Sequence, residues 1–499
     1  MFNPEQKRVT DEAPLPTEKP LLNMQQATQA MTLAFVRINK AHDKNTRQKD
    51  ISPRDIKIIF DGIALYFPNN RPIIYKKFVP DLLKYYKYFL LHITDFEFMM
   101  ELHDTVHTII WNYQDDYIQS QIDISENIEK YAIRWYQALC KENKIEPINV
   151  DNNKTDSKTI VYLLKHASIS ASYACSKLIY SCLHGHSSNR NIVVYIHGGS
   201  EIEFIDSLSH KVTFKQFSGT RDSTFRKIRN EIMIDKPYMV ISELKLSLIA
   251  ALFSARIAPK QVYWSMGFSA ISWADEYVLL TSDYHVKHLL QLSGKKCIEM
   301  PYRLHRTLLA PEENKANTKE IRRQLNVSPD QMLIGYLGRM EKVNDEYLDL
   351  ICTLLWNNKI KYFCAGPGDV NRIENHLKSR APEGQYTVST SINPHEYGYA
   401  FDLFIETFPM GTGLSAIEVM AKGIPVVYLK TKSQKGMQET TRVPSLGAEN
   451  TDELIGIILA LLSKPQLYKE ASKACKNIVK NMSRCEDAAA IIESIAVNA

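Results

Sequence analysis

The stretch from Asp402 to Leu429, DLFIETFPMGTGLSAIEVMAKGIPVVYL, constrains this chain more than any other part of it. It opens with an apolar run, Leu403-Phe404-Ile405, and passes into a turn rich in glycine and hydroxyl groups, Pro409-Met410-Gly411-Thr412-Gly413. A helix-like run follows, with Leu414, Ile417, Val419 and Met420 around a single carboxylate, Glu418. Gly423-Ile424-Pro425 ends it before the β-branched pair Val426-Val427. Strand, glycine turn, helix, Gly-x-Pro and strand make one βαβ unit. The turn sets backbone N–H groups at a helix N-terminus, where a diphosphate binds well, and an acid one turn into that helix can accept hydrogen bonds from ribose hydroxyls. This is the layout of a nucleotide-sugar site, although a plain βαβ unit with a glycine turn would show the same residues.

The rest of the chain fits an α/β protein of more than one domain. At 499 residues, with 44% hydrophobic and 23% charged residues, it has the make-up of a globular protein. A net charge of +5 from 61 basic and 56 acidic residues is too small and too mixed to argue for nucleic acid. The eight cysteines include no C-x-x-C pair and read as reduced residues, which suits the cytoplasm. The first twenty residues lack the apolar core of a secretion signal, and no run of about 18 apolar residues predicts a membrane span. Lys84 to Met100 is rich in aromatic residues, and a stripe of that kind is more often core than membrane contact.

Residues 1–20 are polar and proline-rich and read as a mobile arm. Residues 21–188 read as an all-α domain, with helical patterns over Met24–Ala41, Asp81–Met100, Ile124–Lys144 and Thr159–Leu183. In the last of these, the small residues Ala167, Ser170, Ala171 and Ala174 would allow close helix packing. Lys144–Ser157 is polar and aperiodic. From residue 189 the pattern alternates. Strands are expected at Ile192–Ile196, Val212–Phe217, Met239–Ile241, Gln261–Trp264 and Tyr277–Leu280, giving a first Rossmann-like half over 189–305. Arg306–Thr318 reads as a linker. A second such half over 306–499 has strands at Met332–Leu337, Lys361–Ala365, Gln385–Ser389, Leu403–Ile405 and Val426–Leu429, and a helical end from Thr451. Two such halves enclose a cleft.

Several residues could carry chemistry there. Gly338-Arg339-Met340-Glu341-Lys342 follows the first strand of the second half, so Arg339 and Lys342 are expected at the carboxyl edge of the sheet, able to neutralise a departing diphosphate. Gly366-Pro367-Gly368 allows close backbone approach, or is simply a turn. The loop Ser391–Tyr397 places His395 near a donor, though a lone loop histidine is commonly just solvated. In the first half, His197 ends a strand before two glycines and is the candidate general base, with Glu201, Glu203 and Asp222 as alternatives. His184-Gly185-His186 is a weak metal signal, and no metal site is expected.

Taken together, these motifs resemble GT-B glycosyltransferases, and their order is most similar to glycosyltransferase family 41, which includes bacterial cytoplasmic N-glycosyltransferases and O-GlcNAc transferases. Lys342-Val343-Asn344 resembles the family's Lys-Ile/Leu-Asn/Asp motif, whose lysine contacts the donor diphosphate. Phe408–Glu418 resembles its F-P-x-G-x-T-x-G-x-x-D stretch. Ile257–Gly267, IAPKQVYWSMG, resembles its L-A-P-x-Q-V-x-x-x-G segment, and Glu276-Tyr277-Val278 its D-Y-V. The chain departs from the family in having Glu418 for Asp, in carrying Gly413 and Ser415 where the family has threonine and glycine, and in having Phe268-Ser269 where the family has His-Pro after a glycine. The resemblance covers about residues 190–480. It implies a GT-B fold with an additional N-terminal all-α domain, and an inverting, metal-independent transfer from a UDP-sugar to a protein or glycan. Gly338, His395, Gly411, Thr412, Gly413, Ser415 and Glu418 would bind the donor. Two alternatives remain. One is a retaining enzyme similar to glycosyltransferase family 4, active in surface polysaccharide synthesis. Glu418 fits the second acid of that family's E-x7-E, whereas Met410 stands where the first would be. The other is an inactive glycosyltransferase fold acting as partner or chaperone of another transferase.

Overall fold

In the computed structural model the described residues are 71–92, 95–113, 117–148, 156–165, 174–198, 208, 211–244, 247–266, 273–292, 294–311, 314–390 and 392–497. The arm over 1–20, the helix expected at 24–41, Ala167, Ser170, Ala171, Gly199, Glu201, Glu203, Gly267, Phe268 and Ser269 lie outside them. The chain forms two compact units, 1–139 and 140–499.

The first unit is helical where described: Arg71–His92, Phe96–Tyr113, Tyr117–Ile124 and Lys130–Glu142, the last two joined by a π-turn at Ser125–Glu129. The aromatic stripe is core where described, since Tyr86, Phe89, Met99 and Met100 are buried with Val106, Ile110, Ile128 and Tyr136, and among its described large apolar residues only Leu91 is well exposed. No described helix is long and apolar enough to cross a membrane. The π-turn swings Glu129 into the core, where Oε1 lies 3.7 Å from His103 and 3.9 Å from His107. Burial pushes this carboxyl up, against the opposing pull of His103.

The second unit holds two parallel sheets. One has β1 Asp156–Lys165, β2 Asn191–His197, β3 Val212–Phe217, β4 Pro237–Ser242, β5 Lys260–Ser265, β6 Glu276–Leu280 and β7 Lys296–Met300, in the order β3-β2-β1-β4-β5-β6-β7. The other has β8 Met332–Leu337, β9 Ile360–Ala365, β10 Tyr386–Ser389, β11 Leu403–Ile405, β12 Val426–Leu429 and β13 Gly447–Ala448, in the order β10-β9-β8-β11-β12-β13. Most of these strands are buried along their length, as sheets covered by helices on both faces require.

Two expectations need correction. Thr159–Leu183 is not one helix: its first part is β1, which pairs with β2 and β4 in the middle of the first sheet, and the helix begins at Ala174. The first half therefore begins before residue 189. A six-residue apolar run, Thr159–Leu164, has no period to separate a buried strand from a buried helix. The stretch Arg306–Thr318, expected as a linker, carries structure of its own. It forms a short helix, Arg306–Leu309, whose Leu309 carbonyl accepts a hydrogen bond from Lys422, and a second helix starts at Lys315. The last helix, Cys485–Val497, returns to the first half and packs on Ala174–Gly185, with Glu493 bonded to His186 at 2.8 Å.

Candidate functional site

The order of the second sheet reverses between β8 and β11, and the loops leaving these two strands meet. The β8 loop turns through a short 3₁₀ segment, Met340–Lys342, that aims Lys342 at the β11 loop, where Nζ donates to the Gly411 carbonyl at 2.6 Å. Burial, helped by the charge of Arg339, lowers the Lys342 pKa to about 8. The lysine therefore sits where its ammonium is costly alone and gains most from an anion. Arg339 is exposed beside it, and its guanidinium makes no hydrogen bond among the described residues. Gly338 lies between β8 and this pair.

The β11 loop is braced from beneath. Glu406, at the end of β11, and Arg442 form a fully buried ion pair at 2.6 Å. The same carboxylate accepts the Thr412 backbone N–H at 2.9 Å and its hydroxyl at 3.0 Å, and Arg442 donates to the Gly413 carbonyl at 3.2 Å. Burial would raise the Glu406 pKa, but Arg442 and the Thr412 bonds outweigh it and hold the carboxyl below its ordinary range. Gly411 has no room for a side chain, because a Cβ would stand 2.8 Å from Glu406 Oε1. Gly413 has φ +64° and ψ −120°, a backbone setting that a side chain resists. The Phe408–Pro409 peptide is cis, and Met410 is exposed at the tip.

Gly413 then caps the helix Leu414–Ala421, and no side chain caps that N-terminus. Its first-turn N–H groups lack intrahelical partners and carry the positive end of the helix dipole. Ser415, partly exposed in this first turn, makes no side-chain hydrogen bond among the described residues. Glu418 is buried on the next turn and forms an ion pair with Lys177, which comes from the helix Ala174–Gly185 of the first half. Lys422, one turn further, is buried and donates to the carbonyls of Leu309 and Glu418 at 3.1 and 3.0 Å. Burial lowers its pKa to about 8, Lys177 adding to the shift and Glu418 opposing it. His395, the second residue of the helix Pro394–Ala400, lies within electrostatic reach of Lys422 and Lys177. Its Nδ1 is buried without a hydrogen bond, and burial together with Lys422 and Lys177 lowers its pKa to about 4, so the imidazole is neutral at pH 7.

The structure thus gathers Lys342, Gly411, Thr412, Gly413 and Ser415 at one turn, with Arg339 and Gly338 at its edge, and groups Glu418 with His395 through two lysines. The Thr412 hydroxyl is spent on Glu406, which leaves Ser415 as the hydroxyl to offer a ligand. His197 stands on the other half, half-buried at the end of β2 and level with Lys165 of β1. Asp222 is in an ion pair with Arg226 at 3.0 Å. His186 is held between Tyr162 and Glu493 at 2.7 and 2.8 Å, so it is a structural group of the first half. Sequence reasoning missed Glu406, Arg442, Lys422 and Lys177. The i,i+4 spacing of Glu418 and Lys422 was a visible signal. Arg442 and Lys177, 36 and 241 residues from their partners, gave none.

No family model matches the chain, and no curated protein sequence matches it. Solved structures do. A Thermobaculum terrenum O-GlcNAc transferase mutant matches with a TM-score of 0.51 and 14% identity, over 95% of this chain and 97% of that one. Anabaena HepE, solved in complex with UDP and glucose, matches with a TM-score of 0.53 and 14% identity over 68% of this chain and 100% of its own. A glycosyltransferase from Rickettsia africae matches with a TM-score of 0.55 and 13% identity over 68% of this chain and 98% of its own. At such identities the likeness is one of fold, and with two parallel sheets of Rossmann-like order this chain has the GT-B fold.

Proposed function

We propose that the chain is a glycosyltransferase that takes a sugar from a UDP-linked donor and passes it to a protein or glycan with inversion. The observation that carries this reading is the meeting of Lys342 with the uncapped helix N-terminus at a turn braced by a buried ion pair. A rigid turn that presents N–H groups, a helix dipole and a buried ammonium to one point is suited to a diphosphate. The names of the solved relatives support it, since two of those proteins are named as transferases and HepE is described with UDP and glucose.

In this reading Glu418 takes the ribose hydroxyls. An acceptor oxygen or nitrogen attacks the anomeric carbon as the bond to the donor diphosphate breaks. The electron pair of that bond goes to the diphosphate oxygen, where Lys342, Arg339 and the helix N-terminus offset the charge, and the acceptor proton goes to a base, for which His197 is the candidate. Inversion is favoured over retention because Met410, exposed at the turn, can accept no strong hydrogen bond from a sugar hydroxyl. We place the reaction in the cytoplasm.

The test is incubation with UDP-sugars, following UDP release and the anomeric proton coupling of the product by NMR. An α-linked donor should give a β-linked product. An α-linked product would replace this reading with a retaining one, and UDP binding without turnover would point to an inactive partner of another transferase.

A further inference from the structure

The carboxylate assigned to ribose does not stand alone. Lys177 belongs to the other half of the unit, 241 residues away in sequence, and its ammonium engages Glu418 at Oε1. The other oxygen, Oε2, makes no hydrogen bond among the described residues. Both side chains are mostly shielded, at 15% and 9% exposure, so the pair is screened little by solvent. Lys177 is also held in place. Its carbonyl accepts the Ser181 hydroxyl at 2.6 Å, and Ser181 Oγ in turn accepts the His305 backbone N–H at 2.7 Å. Lys422 is fixed close by, its ammonium donating to the Glu418 backbone carbonyl at 3.0 Å rather than to the carboxylate.

We propose that Lys177 is a positioning residue of the donor site, fixing Glu418 through Oε1 so that Oε2 is presented to a ribose hydroxyl. This rests on the donor-binding reading given above. It adds that the first half contributes to nucleotide affinity through this one ammonium. A glutamate held at one oxygen by a charge-assisted bond has already lost the rotamer freedom that binding would otherwise remove.

The test is calorimetric binding of UDP to the full chain and to Lys177→Ala, Lys177→Arg, Glu418→Ala and the double variant Lys177→Ala/Glu418→Ala, with donor KM and kcat alongside. Lys177→Ala should weaken UDP binding by about tenfold and raise KM with kcat little changed. Lys177→Arg should restore most of the affinity. The double variant should bind no more weakly than Glu418→Ala alone, because Lys177 acts through that carboxylate. Should Lys177→Ala fail to fold, Lys177→Met keeps the aliphatic stem and makes the same comparison. Tighter binding by Lys177→Ala would mean that the lysine competes with ribose, and unchanged binding would mean that it only ties the halves together. Full additivity with Glu418→Ala would mean that it acts elsewhere. Each of these overturns the proposal while the donor-binding reading stands. Failure of the unaltered chain to bind UDP would overturn both.

Discussion

Lys342 shows how one residue can be tuned for an anion by its surroundings. Its ammonium keeps one bond to the Gly411 carbonyl and has two further N–H groups to offer. Burial and Arg339 lower its pKa to about 8, and a bound diphosphate would raise it again. The sign follows: binding takes up a proton above pH 8, so donor affinity should fall as pH rises through about 8, and Lys342→Met should flatten that dependence. Lys342→Ala should lower turnover by roughly 10²–10³-fold, with a smaller effect on donor affinity, because the leaving-group charge is greatest in the transition state. Steady-state kinetics over pH 6.5–9.5 check both. Normal turnover in Lys342→Ala would leave Arg339 as the better candidate. Lys342 was legible because it follows a strand end at a short spacing. Its link to Gly411 was not, since the two are 69 residues apart.

The element that matters most is the turn between β11 and the Glu418 helix. Its glycines were legible, because the settings of Gly411 and Gly413 exclude side chains. Its brace was not. Glu406 and Arg442 look like ordinary charged residues in the sequence, and only the fold makes them a fully buried pair. Breaking a buried pair from one side leaves an uncompensated charge, so Arg442→Met should cost about 3–5 kcal/mol of stability. The double change Glu406→Gln/Arg442→Met should cost less than Arg442→Met alone. Denaturant unfolding of the three chains measures this, and an Arg442→Met chain as stable as the original would show that the pair does not brace the turn. Among the strands, those with clear turn signals at their ends were legible in the sequence. β1 was not, because its apolar run carries no period, and neither were β7, whose residues mix charged and apolar over only five positions, and the two-residue β13.

At the scale of the molecule, the two halves are joined by more than their connecting chain. The Lys177–Glu418 pair and the last helix, clasped to the first half through Glu493 and His186, both cross between them. Hydrogen bonding to His186 holds the Glu493 carboxyl down to about 2. The alternation of strands and helices made the two-sheet architecture legible. The return of the last helix was not legible, because a helix at the end of a chain carries no sign of where it will dock. The central claim is that the turn and Glu418 together hold a nucleoside diphosphate. Calorimetric titration of the full chain with UDP, beside Glu418→Ala and a control at the exposed Lys432, tests it most directly. Charged hydrogen bonds to ribose are worth about 1.5–3 kcal/mol, so Glu418→Ala should bind UDP roughly 10–150-fold more weakly while Lys432→Ala binds as the unaltered chain does. Equal affinity in a folded Glu418→Ala chain, or no binding of UDP at all, would contradict the account.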